Sequence, residues 1–420
     1  MKKKFGFIST RFSGTDGVTL EASKWAEVLQ QHHHETYWFA GELDREPENS
    51  YLVPEAHFKN EQNETLNNEI FGRKRRDLET TETIIHRKDF LKKHLRLFIE
   101  KFSIDILIVQ NALTIPLHIP LGIALTETIA ETQIPTIAHH HDFYWERTRF
   151  IINAVGDYLR MAFPPNLHSI QHVVINSSAQ EELAHRSGIA SIIIPNVLDF
   201  ECPPKINRDR TSKLRESIGL SSSDIIILQP TRIIQRKGIE HAIEFVKKLN
   251  NPKYKLFISH EAGDEGFEYQ DWIKENALNQ GVDLRLINSR IADPWNNRQS
   301  EEGRYSLWDI YPHADFITFP SLYEGFGNAF LEAIYFKKPI LINRYATFVR
   351  DIEPLGFDMI VMDQYITKKT IKSAQDVLEN EDRRTLMVEK NYDIASRHYS
   401  FSVLWNNLNY MIVKYFGVKL

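Results

Sequence analysis

The sequence predicts an α/β protein made of two doubly wound, Rossmann-like domains, and three observations lead to this fold class. Short apolar runs recur with helical patterns between them, which is typical of buried parallel strands joined by helices. The length of 420 residues is enough for about two to four domains. A polar, proline-containing stretch at 199–224 interrupts the series, as a domain boundary does. Because ligands of open α/β sheets lie beyond the carboxyl ends of strands, we expect the functional site in an interdomain cleft.

The first series of strands precedes this boundary. Its members are predicted at Lys4–Ser9, Asp105–Val109, Pro135–His139, His172–Asn176 and Ile192–Ile194. Asp16 follows the first strand as a favourable helix N-cap. Apolar residues then recur on one helical face, namely Val18, Ala22, Trp25 and Leu29. We expect residues 1–200 to form the N-terminal domain.

The second series of strands follows the boundary. Its members are predicted at Ile225–Gln229, Lys255–Ser259, Asp283–Ile287, Asp315–Phe319 and Pro339–Asn343. We expect residues 201–395 to form the C-terminal domain. The last segment, 396–420, carries apolar residues at helical spacing and is predicted to be a closing helix that packs on the body of the protein.

Composition excludes several classes of protein. The chain is 42% hydrophobic and 25% charged, which is typical of a folded globular protein. Its net charge of −5 gives no reason to expect nucleic acid as a partner. With one cysteine, Cys202, and no apolar core of a signal peptide at the N-terminus, we expect a cytoplasmic protein. No apolar run approaches the ~18 residues that span a bilayer, so we expect no integral membrane contact.

The segment from Pro320 to Asn343 is the most informative in the chain. It leaves a predicted strand, passes through two glycines and becomes a helix, with Glu324 in the loop and Glu332 in the helix. Such a helix start presents backbone N–H groups to an anion. We expect these groups to come from Phe326, Gly327, Asn328 and Ala329. The alternative is an ordinary helix start with two solvated glutamates.

Two cations follow the first strand of the second series. Arg232 lies just beyond this strand, and Lys237 lies just before the helix that Gly238 opens. Both are predicted at the edge of the sheet where ligands bind, and there they could neutralise a diphosphate and stabilise it as a leaving group. The alternative is a solvated basic turn.

Together these segments resemble the retaining glycosyltransferases of family 4 (group 1), which have the two-domain GT-B fold. The resemblance covers most of the chain and rests on features in the family's order: the glycine-containing turn 14–19, His141 with Asp142, the Arg232 and Lys237 pair, and the two glutamates. It implies that residues 1–200 form the acceptor side and residues 201–395 bind a nucleotide sugar.

The resemblance also implies roles for single residues. Glu324 would contact hydroxyls of the donor sugar, Glu332 the ribose, and Arg232 and Lys237 the diphosphate. After Asn343 the chain reads RYATFVRDIEPLGFD, where many members have a glycine-rich segment that ends in a glutamate. No role is therefore transferred beyond Asn343.

The histidine cluster 139–141 follows a strand of the first series. The resemblance implies that His141 approaches the donor sugar near its anomeric carbon. A histidine satisfied within the core is one alternative, and a zinc site is another. Zinc is disfavoured because alternate strand residues point to opposite faces and no distant further ligand is evident, so we expect no metal.

The first turn, SGTDGVTLE, lacks the G-x-G-x-x-G spacing of nicotinamide-binding turns. In the family this turn closes over the reaction centre. We expect Gly17, like Gly14, to let the backbone approach the donor, and Asp16 to lie by the acceptor. A plain turn is the alternative.

The segment YWERTRF beyond His141 is predicted to bind the acceptor. Tyr144 and Trp145 could pack on a sugar face, and Arg147 or Arg149 could clamp an anion. An amphipathic surface turn is the competing interpretation. This segment, with TDGVTLEASKW and NRYATFVRDIEPLGF, resembles the mannosylglucosylglycerate synthase branch of the family.

The function that follows is transfer of a hexose, with retention, from a nucleoside diphosphate sugar to a small hydroxyl acceptor. GDP-mannose or UDP-glucose would be the donor, glucosylglycerate is one candidate acceptor, and no cofactor is required. Two alternatives stay open. One is a transferase that acts on a lipid or cell-surface glycan, and the other is a non-catalytic protein that binds sugar nucleotides.

Overall fold

The computed structural model describes residues 2–14, 16–203, 214–260, 267–287 and 305–418. The chain divides into two compact units. The first comprises Met1–Asn196 together with Phe401–Leu420, and the second comprises Val197–Ser400. None of the described helices combines the length and the apolarity that crossing a bilayer requires.

The first unit contains a parallel sheet of seven strands, which are β1 (Lys4–Ile8), β2 (Glu35–Ala40), β3 (Ser50–Leu52), β4 (Ile106–Gln110), β5 (Thr136–His140), β6 (Ile170–Val174) and β7 (Ser191–Ile193). Their order in the sheet is β3-β2-β1-β4-β5-β6-β7. The central strands β4, β5 and β6 are buried at every position, as expected for parallel strands covered on both faces.

Helices surround this sheet. Those described in the first unit are α1 (Gly17–Gln31), α2 (Glu61–Ile70), α3 (Leu78–Phe102), α4 (Ile119–Thr132), α5 (Gly156–Ala162), α6 (Ser177–Ser187) and, after the second unit, the last helix Phe401–Phe416. Asp16 caps α1 by accepting from the backbone N–H groups of Val18 at 3.1 Å and Thr19 at 3.2 Å. The His32 ring at the end of α1 stacks on Trp405 of the last helix, with centroids 3.7 Å apart. The C-terminal segment thereby becomes part of the first unit.

The second unit contains a six-stranded parallel sheet in the order β10-β9-β8-β11-β12-β13. Its strands are β8 (Ile225–Gln229), β9 (Tyr254–Ile258), β10 (Leu284–Leu286), β11 (Phe316–Phe319), β12 (Ile340–Asn343) and β13 (Ile360–Met362). The described helices are α7 (Leu214–Ser217), α8 (Ile239–Leu249), α9 (Glu268–Gln280), α10 (Leu307–Ile310), α11 (Asn328–Tyr335), α12 (Lys368–Glu379) and α13 (Glu381–His398). We number the last helix of the chain α14.

The predicted fold class is confirmed: the chain folds into two parallel α/β sheets. Every predicted strand is present, with small differences at its ends. The sequence reasoning missed β2, β3 and β13. Of these, β3 and β13 have only three residues each, and β2 starts directly after the histidines that end α1, without a glycine or proline to mark the break.

The division into units differs from the predicted boundaries at 200/201 and 395/396. The backbone leaves the first unit after Asn196. The predicted start of the closing helix at 396 falls inside α13, which the Asn380 side chain caps and which continues to His398. The Leu198 N–H donates to the Tyr399 carbonyl at 2.9 Å, so the two crossing segments pair within the second unit. Residues 204–213 of the predicted linker lie outside the described residues.

Candidate active site

In the second unit, the loop after β8 and the loop after β11 are in close contact through their backbones. Gly238 has a φ of +61°, and a Cβ atom built on it would lie 2.5 Å from the Pro320 carbonyl oxygen. The Leu322 N–H donates to the Arg236 carbonyl at 2.8 Å. A residue without a side chain is therefore required where the loops meet. The contact brings the predicted cations and the predicted glutamate loop to one edge of the sheet.

Glu324 and Lys237 form the centre of this edge. The Lys237 Nζ donates to Glu324 Oε1, and the Arg236 Nη1 donates to Glu324 Oε2 at 3.2 Å. The Glu324 residue is only 8% exposed, so this carboxylate needs its partners. Burial lowers the pKa of Lys237, and the Glu324 charge opposes that shift. The sequence analysis named Glu324 and Lys237, which the structure brings together, but it did not name Arg236, the neighbouring cation in the same turn.

Arg232 and His260 lie close to this pair. Arg232 is exposed, and within the described residues its guanidinium forms no ion pair. His260 follows β9 and its Nδ1 lies 2.7 Å from the Ser259 Oγ. Burial, with the charges of Arg232 and Lys237, lowers the pKa of His260 to about 4. His260 is therefore neutral at pH 7 beside two cations. No sequence motif pointed to this residue.

The start of α11 is held by residues from beyond Asn343. Gly327 has a φ of +107°, and a Cβ atom there would lie 2.8 Å from the Tyr345 hydroxyl oxygen. That hydroxyl donates to the Phe326 carbonyl at 2.7 Å, and the Thr347 Oγ1 donates to the Glu324 carbonyl at 3.0 Å. The segment to which we transferred no role thus supports the backbone of the predicted anion-binding helix start.

Glu332 is positioned by a buried tyrosine. The hydroxyl of Tyr311 donates to Glu332 Oε2 at 2.7 Å. Tyr311 is fully buried, and burial together with the Glu332 charge raises its pKa well above the usual value. This hydroxyl therefore stays protonated and fixes the orientation of the carboxylate. The contact of Glu332 with a ribose stays a prediction.

In the first unit, His141 follows β5 at the carboxyl end of the sheet. Its backbone N–H donates to Asn111 Oδ1 at 2.8 Å, and its Nε2 lies 3.1 Å from Gln110 Oε1. Burial lowers its pKa to about 4; the charges of Asp142 and Asp16 oppose this shift and that of Lys24 adds to it. The imidazole is therefore neutral at pH 7, with one nitrogen as donor and one as acceptor.

The Asp16 carboxylate already accepts several hydrogen bonds that stabilise the local structure. Besides capping α1, it accepts from Thr19 Oγ1 at 2.7 Å and from Arg11 Nη2 at 3.1 Å. Gly17 is the first residue of α1. The Asp16 charge acts on His141, where it opposes the lowering of the imidazole pKa by burial. Their predicted contacts with substrate stay predictions.

The residues of the YWERTRF segment that are predicted to bind the acceptor differ in how many contacts they make with other residues of the chain. The Arg147 guanidinium donates to Asp142 Oδ2 through Nε at 2.7 Å and also through Nη2. The Trp145 Nε1 donates to Glu182 Oε2 at 2.6 Å, and its ring stacks on Phe143. Arg149 is exposed, with its guanidinium 4.5 Å from the Phe150 ring centroid.

Tyr144 is half-buried against an apolar cluster. Together with the ion pair of Arg147 and the indole hydrogen bond of Trp145, this contact gives much of the segment a structural role. Of the four residues of this segment that are predicted to bind the acceptor, Arg149 is the exposed one.

Solved structures identify the class of this fold. A glycosyltransferase from Rickettsia africae superimposes with a TM-score of 0.72 at 14% identity, over 99% of each chain. Sucrose-phosphate synthase from Thermosynechococcus elongatus superimposes with a TM-score of 0.66 at 13% identity, over 99% of this chain and 100% of its own. Identities this low establish only the fold, which is the GT-B fold of glycosyltransferases, as predicted.

Sequence relatives identify the family. The model for "Glycosyl transferases group 1" matches residues 298–393, which include the Glu324 and Glu332 segment. Mannosylglucosylglycerate synthase from Petrotoga mobilis is 35% identical over 386 residues, covering 85% of this chain and 86% of its own. Its counterpart from Thermotoga maritima is 31% identical over 441 residues, covering 96% and 97%. The chain belongs to the group 1 glycosyltransferases of family 4 and is a hexosyltransferase-type enzyme related to these two synthases.

Proposed function

We propose that this enzyme transfers a mannosyl group from GDP-mannose to glucosylglycerate and retains the α configuration. The observation that carries the proposal is that two relatives named mannosylglucosylglycerate synthase, at 35% and 31% identity, align over 85% and 96% of this chain. The residues at the two sheet edges fit this reaction. UDP-glucose is the donor to be tested against GDP-mannose.

The ion pair of Glu324 with Lys237 and Arg236 prepares the donor site. The carboxylate and the two cations satisfy each other. When a nucleoside diphosphate sugar binds, its phosphate oxygens would accept from Lys237 and Arg232, while Glu324 would accept from hydroxyls of the hexose. The charges are thus already in place when negative charge develops on the leaving phosphate.

The transfer proceeds on one face of the sugar. The bond between the anomeric carbon and the diphosphate oxygen breaks, and that oxygen takes the electron pair. The acceptor hydroxyl forms the new bond to the anomeric carbon and gives its proton to a phosphate oxygen of the departing diphosphate. Arg232 and Lys237 stabilise the charge on this diphosphate, and each such contact contributes about 3 kcal/mol to the transition state.

His141 contributes as a neutral hydrogen-bonding group. Its pKa of about 4 means that the imidazole carries no charge at pH 7 and does not add a cation beside the developing positive charge of the sugar. We assign it a contact with the donor hexose. The variant His141→Ala would keep the binding of free nucleoside diphosphate and lose most of the transfer.

Arg149 is the residue that we assign to the acceptor carboxylate. Arg147 would have to give up its ion pair with Asp142 to serve, whereas Arg149 is exposed. A guanidinium binds a carboxylate in a defined orientation, which would aim the acceptor hydroxyl at the anomeric carbon.

The test compares glucosylglycerate with its neutral analogue glucosylglycerol, with GDP-mannose as donor. Wild type should prefer the anion, and Arg149→Ala should raise the KM for glucosylglycerate about tenfold or more without changing the KM for donor. Arg96→Ala removes an exposed arginine of α3 in the same unit and serves as the matched control. Equal use of both acceptors by wild type refutes the anionic acceptor, and transfer to lipid-linked glycans alone refutes the small acceptor.

A further inference from the structure

Three aromatic rings of the first unit pack in succession, and the last of them is His141. The Trp25 ring of α1 lies on His139 with centroids 4.3 Å apart and an interplanar angle of 21°. The His139 ring lies beside His141 with centroids 4.4 Å apart and an angle of 44°. Residues two apart at the end of β5 point to the same side of the sheet, which brings the two imidazoles together.

His139 is an unusual residue for the interior. It is 1% exposed, and neither of its ring nitrogens has a hydrogen-bond partner among the described residues. A buried polar group without a partner destabilises the folded protein, because the hydrogen bonds that it made with water are not replaced. An aliphatic side chain of similar size would avoid this cost, so packing alone does not account for an imidazole at this position.

We propose that His139 is a positioning residue for His141: its flat ring, held by Trp25, is the platform that orients the His141 imidazole. The proposal rests on the role assigned to His141 under the proposed function. A leucine could fill a similar volume but offers no flat face, and a phenylalanine offers the face but is larger than an imidazole. An imidazole is the smallest ring that does both.

The platform stays uncharged. Burial, with the nearby His141 and His140, holds the pKa of His139 well below its usual range. The charged groups that act on His141 itself are Asp142 after β5, and Asp16 and Lys24 at α1. His139 thus adds a face without adding a charge, and Gln110 Oε1 lies 3.1 Å from the Nε2 of the imidazole that this face orients.

The opposite face of β5 offers a matched control. His140 is also buried, but its Nε2 lies 2.8 Å from His172 Nδ1 and its ring packs against Phe143. The substitution His140→Leu therefore removes a hydrogen bond without touching the three rings. It should lower the melting temperature and leave the kcat of the folded enzyme unchanged.

The experiment compares three variants of the full chain. His139→Leu should be as stable as wild type or more stable, because it removes two unpaired nitrogens, yet its kcat should fall about tenfold or more with KM for both substrates nearly unchanged. His139→Phe should restore most of the kcat although overpacking lowers its stability. The nitrogen chemical shifts of His141 should report one tautomer in wild type and a mixture in His139→Leu.

Two outcomes overturn the proposal. A His139→Leu enzyme with wild-type kcat and a single His141 tautomer shows that His139 only fills space. A kcat that falls in proportion to lost stability, equally in His139→Leu and His140→Leu, shows that the effect is structural. If His141→Ala itself keeps full activity, the proposed function of His141 has failed instead, and the two failures are therefore distinguishable.

Discussion

The contact between Gly238 and Pro320 can be broken by adding one methyl group. A Cβ atom on Gly238 would lie 2.5 Å from the Pro320 carbonyl oxygen, whereas ordinary contacts begin at 3.4 Å. Pro320, in the loop that carries Glu324, would have to move away from Gly238 by about 0.9 Å to admit Gly238→Ala. A displacement of about 1 Å at a reacting centre costs on the order of 10²-fold in rate.

The backbone cost of this substitution can be measured separately. Gly281 ends α9 with a φ of +70°, but nothing lies within 4 Å of a Cβ atom built there. Both Gly238→Ala and Gly281→Ala place an alanine in the left-handed region, which costs about 1 to 2 kcal/mol of stability. Only Gly238→Ala adds the displacement of the loop.

The assay measures kcat/KM for hexosyl transfer and the melting temperature of both variants. We expect Gly281→Ala to melt earlier than wild type and to keep kcat/KM within about twofold, since its site is open. We expect Gly238→Ala to melt earlier still and to lose on the order of 10²-fold in kcat/KM. Equal kcat/KM in the two variants would refute the idea that the Gly238 contact sets the geometry of Lys237 and Glu324.

Three further predictions concern single side chains. Arg232→Ala should lower kcat/KM by about one to three decades, because it removes a cation that stabilises the leaving diphosphate. It should leave the melting temperature unchanged, because Arg232 is exposed and has no ion pair in the described chain. An unchanged kcat/KM contradicts the role assigned to Arg232. Glu324→Gln should lower mainly kcat, whereas Glu332→Gln should weaken calorimetric binding of free GDP; the opposite pattern means that the roles are reversed. Burial lowers the pKa of His118 to about 3 and of His172 to about 4, from 6.5, so the unfolded chain binds more protons below pH 6.5. The free energy of unfolding should therefore have its highest value above pH 6.5 and should fall as the pH drops toward 4. A melting temperature that stays constant between pH 6.5 and pH 4 contradicts this reasoning.

The sequence was sufficient for the fold because its strands are continuous apolar runs. The segment ILIVQ at β4 is buried at all five positions. In a globular fold, few positions other than a buried strand accommodate such a short apolar run. The segment ETYWFA at β2 was missed because its polar start continues the preceding histidines. Where the pattern of apolar residues does not change, periodicity alone cannot mark the start of a strand.

The candidate site was predictable where its residues are close along the chain. Glu324 and Glu332 share one loop and helix, and Arg232 and Lys237 share another turn. His260 belongs with them only because β9 lies next to β8 in the sheet, with Ile258 opposite Gln229. Tyr345 supports the helix start from another strand end. Such neighbours depend on strand order and on packing between loops, which no local motif records.

The central claim is that the Lys237 and Glu324 edge of the second unit binds a nucleotide sugar and transfers its hexose. The most direct measurement incubates the purified enzyme with GDP-mannose labelled at the anomeric carbon and with glucosylglycerate, and follows the product by NMR. We expect an α-linked mannosyl product from wild type and a rate lower by about one to three decades for Lys237→Ala. Absence of hexosyl transfer from GDP-, UDP- and ADP-sugars alike, or an undiminished rate in Lys237→Ala, would contradict the claim.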